Sequence, residues 1–357
     1  MKIAIITDQH FGARNDSISF LDFYQKFYDD TFFPTLIKNE IKILLILGDT
    51  FDRRKYINFL SLKKTKEMFF DKLLELGIEV HMLAGNHDTY FKNSDSVNSV
   101  DLLLKEYDNI NVIDTPQTIE VDNTKICMIP WICADNYNEC LDEIKNTDAR
   151  ICMGHFEIAG FAMHKGMASE EGLDRKLFRK FINTFSGHYH HRSNSDSIYY
   201  LGNPYQLTWS DYDDVRGFHL YDLQKYDLQF IPNPNEMFFK IVYNDIASNG
   251  YLPKRLEDLS QYTEKYVKVV VINKTNPILF DKFMDNLYKM NPIDITIVED
   301  SVNLTESIND DMITQSEDTL SILNKFVDSV QEMSIDNNKL KSILHEIYVE
   351  ALNSERV

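Results

Sequence analysis

The sequence predicts an α/β protein built on two packed sheets flanked by helices, followed by a small α+β cap and a C-terminal helix pair. Three observations carry this. Short apolar runs alternate with helical periodicity from Ile3 to Leu83, short β-rich segments separated by turn signals continue to Ile231, and a strand-helix-strand pattern follows Pro232-Asn233-Pro234-Asn235. Two prolines in three residues disfavour the continuation of either a helix or a strand, which makes that tetrapeptide a boundary.

Taken in order, Ile3 to Ile6, Ile41 to Leu47 and Val80 to Leu83 are apolar and short enough for buried strands. Between them, Phe20 to Lys38 and Ile57 to Leu76 place apolar residues at helical spacing, and Gly77 stops the second helix. Ile110 to Ile113, Thr118 to Val121, Lys125 to Trp131, Ile151 to Met153, Ile198 to Leu201, Gly217 to Leu223 and Leu228 to Ile231 read as further strands, with a weaker one over Phe181 to Phe185. These complete a main domain over 1–231. Lys265 to Ile272, Ile278 to Met290 and Ile293 to Val298 read as strand, helix and strand of a cap over 236–298. Residues 299–318 are acidic and rich in Ser, Thr, Asn and Asp, the composition of a flexible linker. In 319–357, Leu320, Leu323, Phe326, Val327 and Val330 form one apolar stripe, and Leu340, Ile343, Leu344, Ile347, Tyr348 and Leu352 form another. These helices either fold back on the cap or dock a partner, since two short helices beyond a linker cannot bury both stripes on each other.

At 357 residues and 43% hydrophobic content, the chain can bury a full core. No apolar run approaches the roughly 20 residues a membrane span needs. A strand begins directly at Lys2 without a signal-type segment, so a cytoplasmic protein with no membrane partner is expected. Cys127, Cys133, Cys140 and Cys152 form no CxxC pair, which argues against a zinc site or a disulfide framework. A net charge of −19 argues against non-specific DNA affinity from the whole surface, because phosphate contacts need Lys and Arg. The excess is uneven: from Glu299 onward there are 4 basic and 13 acidic residues, a net −9. Basic residues gather instead beside the motifs described next. Arg53, Arg54 and Lys55 follow Asp52, Arg192 follows His190, and Arg175, Lys176, Arg179 and Lys180 stand on an expected helix before it. Arg53, Arg54 and Arg192 are candidates for positioning a phosphate, the competing reading of such groups being a solvated face.

Five short motifs follow the apolar runs: Asp8-Gln9-His10, Gly48-Asp49 with Asp52, Gly85-Asn86-His87-Asp88, Gly154-His155 and Gly187-His188-Tyr189-His190. Each sits where a strand ends, the place where sheet proteins build active sites. Any one has a bland explanation, but the set has the residue types of a dinuclear metal centre: carboxylate oxygens, neutral imidazoles and a shared carboxylate, for which Asp49 is the natural choice. Asn86 offers a metal only its side-chain oxygen. The glycines before Asp49, Asn86, His155 and His188 are expected to let the chain turn sharply. His81, His164, His191, His219 and His345 lie outside the motifs and are read as structural or surface residues.

The order DxH, GDxxD, GNHD, GH, GHxH resembles the calcineurin-like metallophosphoesterases, and over residues 1 to 220 the chain looks most like the SbcD branch, the nuclease subunit of SbcCD-type DNA repair and recombination complexes, phage versions included. The resemblance implies a DNA exo- and endonuclease using two divalent ions, manganese before magnesium. It assigns Asp8, His10, Asp49 and His190 to one ion, and Asp49, Asn86, His155 and His188 to the other. His87 resembles the family's catalytic histidine, Asp88 is placed to fix its tautomer, and Asp52 aligns with a position that is Asp in bacterial SbcD and His in some relatives. Tyr200-Leu201-Gly202-Asn203-Pro204 resembles a segment that lies near the active site. The implied partners are DNA and an SbcC-type ABC ATPase whose coiled-coil base takes the C-terminal helices, with Leu323, Phe326, Val327, Ile343, Leu344 and Ile347 as anchors. A homodimer within a heterotetramer is the implied assembly. A phosphomonoesterase or protein phosphatase on the same scaffold, and a non-catalytic scaffold for the ATPase, are the alternatives.

Overall fold

The apolar runs become the inner strands of two six-stranded sheets in a computed structural model that describes residues 1–164, 167–168, 172–246 and 259–299, with 327, 339, 340 and 343 beyond them. In the first sheet, β1 (Lys2–Ile6), β2 (Ile43–Ile46), β3 (Glu79–Leu83) and β4 (Ile110–Ile113) run parallel. Beyond β1, β13 (Gly217–Asp222) and β14 (Asp227–Pro232) add antiparallel pairs, giving the order β14-β13-β1-β2-β3-β4. The second sheet has parallel β6 (Thr124–Ile129), β7 (Ile151–Gly154), β10 (Asn183–Ser186) and β12 (Ile198–Tyr200) inside, with antiparallel β5 (Gln117–Val121) and β11 (Ser193–Ser195) at its edges. A two-stranded pair, β8 (Ala162–His164) and β9 (Met167–Ala168), stands apart.

The sheets pack face to face. Ile3, Ile5, Leu45 and Leu47 of the first share one buried cluster with Met128, Ile151, Met153 and Phe185 of the second. Each such side chain contributes about 1.5–3 kcal/mol relative to exposure. Ile3, Ala4, Ile5 and Ile6 are all buried, on both faces of β1, which explains why this strand reads as a continuous apolar run rather than an alternation.

The helical periodicities also materialise, with a modification. Ile18–Phe27 and Phe33–Lys38 are α-helical, but Tyr28–Phe32 between them is π-helical; Phe59–Thr65 and Asp71–Glu75 likewise flank a π-helical Lys66–Phe70. The two wide turns meet, with the rings of Tyr28 and Phe32 at 4.8 and 5.7 Å from that of Phe69. Asn58 and Asn98 cap the helices that follow them by accepting backbone N–H groups, each worth about 1 kcal/mol. The helices Ser99–Leu104 and Tyr137–Asn146 have no counterpart among the expected elements. Conversely, where a helix is expected through Arg175 to Lys180, the structure has only a 3-10 turn, Arg175–Phe178, started by Asp174 accepting from Lys176 N. Arg175 is drawn out of any helical face by donating to the carbonyls of Ala159 and Gly160.

Past Pro232, β15 (Phe238–Asn244), β16 (Tyr266–Asn273) and β17 (Asp294–Glu299) form a parallel three-stranded sheet with the helix Pro277–Tyr288 between the last two. Of these strands, β15 is the one that the periodicity does not predict. Rings of Phe238 and Tyr266 pack on Phe20 at 6.2 and 5.6 Å. Met1–Leu207 with Asp211–Glu299 forms one compact unit, and Thr208–Ser210 with Asp300–Val357 a second. In the second, Val327 is helical and buried, and Ile343 is helical and 42% exposed. Leu323, Phe326, Leu344 and Ile347, and the linker after Glu299, lie outside the described residues. Among the described residues no helix is long and apolar enough to cross a membrane. The four cysteines are buried and unpaired.

Candidate metal centre

Because β1, β2 and β3 are parallel in one sheet and β7 and β10 in the other, the loops that follow them leave each sheet at one edge. All five motifs lie on these loops. Three tyrosines hold the first loop: Tyr205, from the loop after β12, donates through its OH to the Gln9 carbonyl at 2.6 Å, Gln9 Nε2 donates to Tyr28 OH of the π turn at 2.7 Å, and Tyr24 of the Ile18–Phe27 helix stacks on Tyr205 at 3.8 Å. Asp8, His10, Asp49 and His188 all have positive φ, at 52°, 46°, 51° and 83°. Non-glycine residues in this region carry strain of about 1–3 kcal/mol each, and such residues concentrate at functional sites.

Only Gly48 of the four motif glycines turns the chain through positive φ. The others answer to crowding. A Cβ on Gly85 would meet Asp49 Oδ1 at 2.2 Å, and one on Gly187 would meet Thr7 Oγ1 at 2.1 Å and His155 Nδ1 at 2.9 Å, so both are glycine to admit the side chains of the site.

Three groups of ligand atoms lie within 4.8 Å of one another: Asp8, His10 and His190; His10, Asp49 and His87; Asp49, His155 and His188. His10 Nε2 and His190 Nε2 are 3.0 Å apart, and His155 Nε2 lies 3.4 Å from Asp49 Oδ2. Asn86 Oδ1 faces two imidazole nitrogens, His155 Nε2 and His188 Nδ1, each at 2.9 Å. The outward nitrogens are already engaged. His155 Nδ1 donates to the Leu47 carbonyl at 2.7 Å, and His87 Nδ1 donates to the Asp52 carbonyl at 2.6 Å. A carbonyl only accepts, so each of these rings places an N–H outward and turns its other nitrogen, the one a cation would take, inward. Ring nitrogens and side-chain oxygens thus converge on common points, and this donor set suits a divalent cation of the first transition row once the rings give up their inward protons.

Without a cation, the carboxylates of the site hold a proton on two of its rings in place of the metal. Burial alone would lower His10 and His155, but Asp52, Asp49 and Asp8 beside the first, and Asp49 and Asp8 beside the second, raise both to about 9. Burial opposes the ionisation of Asp49, yet the neighbouring His155, His87 and His10 hold it well below the usual carboxylate range. Burial, and then the charges of His10 and Arg216, push His190 well down, and burial also lowers His87.

Asp52 supports two rings at once, through Oδ1 at 3.4 Å from His10 Nδ1 and through its carbonyl to His87. The expectation that Asp88 fixes the His87 tautomer is corrected by this contact. The Asp88 carboxylate instead accepts the backbone N–H groups of Thr50, Phe51 and Gly85 at 3.2, 3.0 and 2.9 Å, binding the Asp49 loop to the Asn86 loop. Of the expected phosphate-positioning arginines, Arg54 is half-buried and faces the charges of Asp49 and Asp88. Arg53 is held by Asn15 Oδ1 at 2.6 Å and Asp16 Oδ2 at 3.1 Å. Arg192 lies over the Phe230 ring at 3.8 Å, and no described contact brings it to the imidazoles. Asn203, from the glycine-bearing segment, and the carbonyl of His190 both accept from the buried Arg216, which is also paired with Asp211 and Asp214 at 2.6 and 2.9 Å.

Sequence reasoning missed Thr7, which donates to Asp8 Oδ2 at 2.7 Å, Trp131, whose ring lies 5.3 Å from that of His188, and Glu157, at 3.1 Å from His188 Nε2. Thr7 and Glu157 stand within two residues of a motif, which was the available signal. Trp131 follows β6 as the ligands follow their own strands.

Residues 1–192 match the calcineurin-like phosphoesterase family. The chain is 31% identical over 315 residues to exonuclease subunit 1 of Enterobacteria phage T4, covering 88% of this chain and 89% of that protein. It is 23% identical over 368 residues to the SbcD component of nuclease SbcCD from Staphylococcus epidermidis, covering 88% and 95%. It is 26% identical over 385 residues to the DNA double-strand break repair protein Mre11 of Methanocaldococcus jannaschii, covering 99% and 96%.

Proposed function

Because this chain belongs to the calcineurin-like phosphoesterase family, we propose that it is a manganese-dependent DNA exo- and endonuclease, the nuclease subunit of an SbcCD-like recombination and repair complex. The observation that carries the reading is the convergence of inward imidazole nitrogens with Asn86 Oδ1 and Asp49 Oδ2 at one sheet edge. Asp8, His10, Asp49 and His190 would hold one ion, and Asp49, Asn86, His155 and His188 the other. Two divalent ions there supply Lewis-acid polarisation of a phosphodiester and a water of lowered pKa.

The chain's own residues do the rest. His87 has Nδ1 committed to the Asp52 carbonyl and groups with His10 and Asp49; it would take a proton from solvent on Nε2 as the phosphate arrives and pass that proton to the departing oxygen. Burial keeps this ring neutral, and an approaching phosphate anion favours its charged form. Arg54, half-buried and facing the charges of Asp49 and Asp88, positions phosphate oxygens.

The names of the three relatives, an exonuclease, a nuclease and a double-strand-break repair protein, favour DNA over a phosphomonoester. The partner proposed on the resemblance to the SbcD component of nuclease SbcCD is an SbcC-type ATPase, with Ile343 among its anchors. For the homodimer, exposed Tyr56 and Phe59 stand on one loop and helix start, and exposed Tyr90 and Phe91 on a loop joined to it where Arg54 donates to the Phe91 carbonyl at 3.4 Å. Host or cell cytoplasm is the proposed location. The test is digestion of single- and double-stranded DNA in manganese, run beside a phosphomonoester. Cleavage of the monoester alone would replace the nuclease reading with a phosphatase.

A further inference from the structure

We infer that Glu157 is the positioning residue that presents His188 to the metal centre; this rests on the reading of the cluster as such a centre. Glu157 belongs to none of the five motifs. Its Oε1 lies 3.1 Å from His188 Nε2, while the other ring nitrogen, Nδ1, lies 2.9 Å from Asn86 Oδ1 and groups with Asp49 and His155. A neutral imidazole carries one proton, and a carboxylate at Nε2 draws it there, leaving the Nδ1 lone pair inward. His155 and His87 have their outward protons held by backbone carbonyls, and His10 has the Asp52 carboxylate; Glu157 completes the pattern for His188.

The backbone around Glu157 is fixed well enough to aim it. Leu173 N donates to the Glu157 carbonyl at 2.8 Å, Phe156 N donates to Ser186 Oγ at 2.9 Å, and Ile158 N donates to Tyr200 OH at 3.0 Å. These contacts tie the segment to β10 and β12. The Trp131 indole lies against His188 at 36° between planes, so the ring is bounded by an apolar wall as well as by its hydrogen bond. The Glu157 side chain itself is 50% exposed, and its truncation leaves no core cavity.

The consequence is a division of labour: the motifs supply donor atoms, and Glu157 selects which nitrogen of one donor is available. Carboxylates that orient a ligating imidazole are typically worth about 10- to 100-fold in metal affinity. Full-length Glu157→Ala and Glu157→Gln, stripped of metal, would be titrated with manganese by calorimetry beside the unaltered chain, with thermal unfolding of each apoprotein. Glu157→Ala is expected to bind manganese about 10- to 100-fold more weakly at an unchanged apoprotein midpoint. Its DNA cleavage should recover as manganese is raised. Glu157→Gln, whose amide oxygen still accepts from Nε2, should stay within a few fold of the unaltered chain. Unchanged affinity in Glu157→Ala, or a Glu157→Gln as weak as Glu157→Ala, overturns the assignment. If the unaltered chain takes up no manganese, the metal-centre reading falls and this inference with it.

Discussion

His87 and Asp52 are joined by a 2.6 Å hydrogen bond from the imidazole Nδ1 to the backbone carbonyl of Asp52. No side-chain substitution at residue 52 removes that acceptor, so the His87 tautomer is built into the loop itself. His87→Gln should therefore keep the fold and the metal content while turnover falls by roughly 10² to 10⁴, the usual worth of a positioned acid. Elemental analysis beside nuclease kinetics checks this, and loss of metal would make His87 a ligand.

Asp88 is fully buried and receives three backbone N–H groups from two loops. Asp88→Ala strands those donors, and each buried donor left unsatisfied costs about 1–3 kcal/mol. Denaturant unfolding in chelator is expected to show a loss of about 3 kcal/mol or more, accompanied by weaker metal binding. Full stability with lost turnover would return Asp88 to a catalytic role.

His219 sits on β13, buried, with its ring 5.2 Å from that of Phe230, and belongs to none of the three ligand groups. Burial, and then the charge of Arg192, lower its pKa to about 3. Below the ordinary imidazole value of about 6.5, the unfolded chain binds a proton that the folded chain refuses, so this residue costs stability as pH falls. Between pH 7 and pH 5 the loss is about 2 kcal/mol. His219→Phe should remove that increment, flattening the profile relative to the unaltered chain when both are unfolded by urea in chelator. Parallel profiles would show that His219 is protonated in the fold.

A chain ending at Glu299 keeps every proposed ligand and all four described sheets. It should fold, cleave DNA in manganese and fail to co-purify with the SbcC-type ATPase. Phe326→Glu with Leu344→Glu in the full chain should reproduce that loss. Undiminished ATPase binding by the shortened chain would move the docking surface to the main unit.

Much of this protein is determined by sequence alone. Apolar runs buried on both faces announce β1, β2, β3 and β7 without tertiary context, and short polar motifs directly after them announce loops at one sheet edge. Periodicity also marks the long helices, because a buried stripe must repeat every three to four residues. What only the tertiary structure decided is the direction of each side chain. His10 meets His190 across 180 positions, and His155 finds the Leu47 carbonyl across 108. Such contacts leave no period in the chain, so the sequence names the imidazoles but not which nitrogen each turns inward. For the same reason Arg53 reads as a free cation until Asn15 and Asp16 are seen to hold it, and Asp88 reads as a partner of its neighbour until three N–H groups claim it. Folding brings those donors together, and the cost of leaving a buried polar group unpaired selects among the partners within reach.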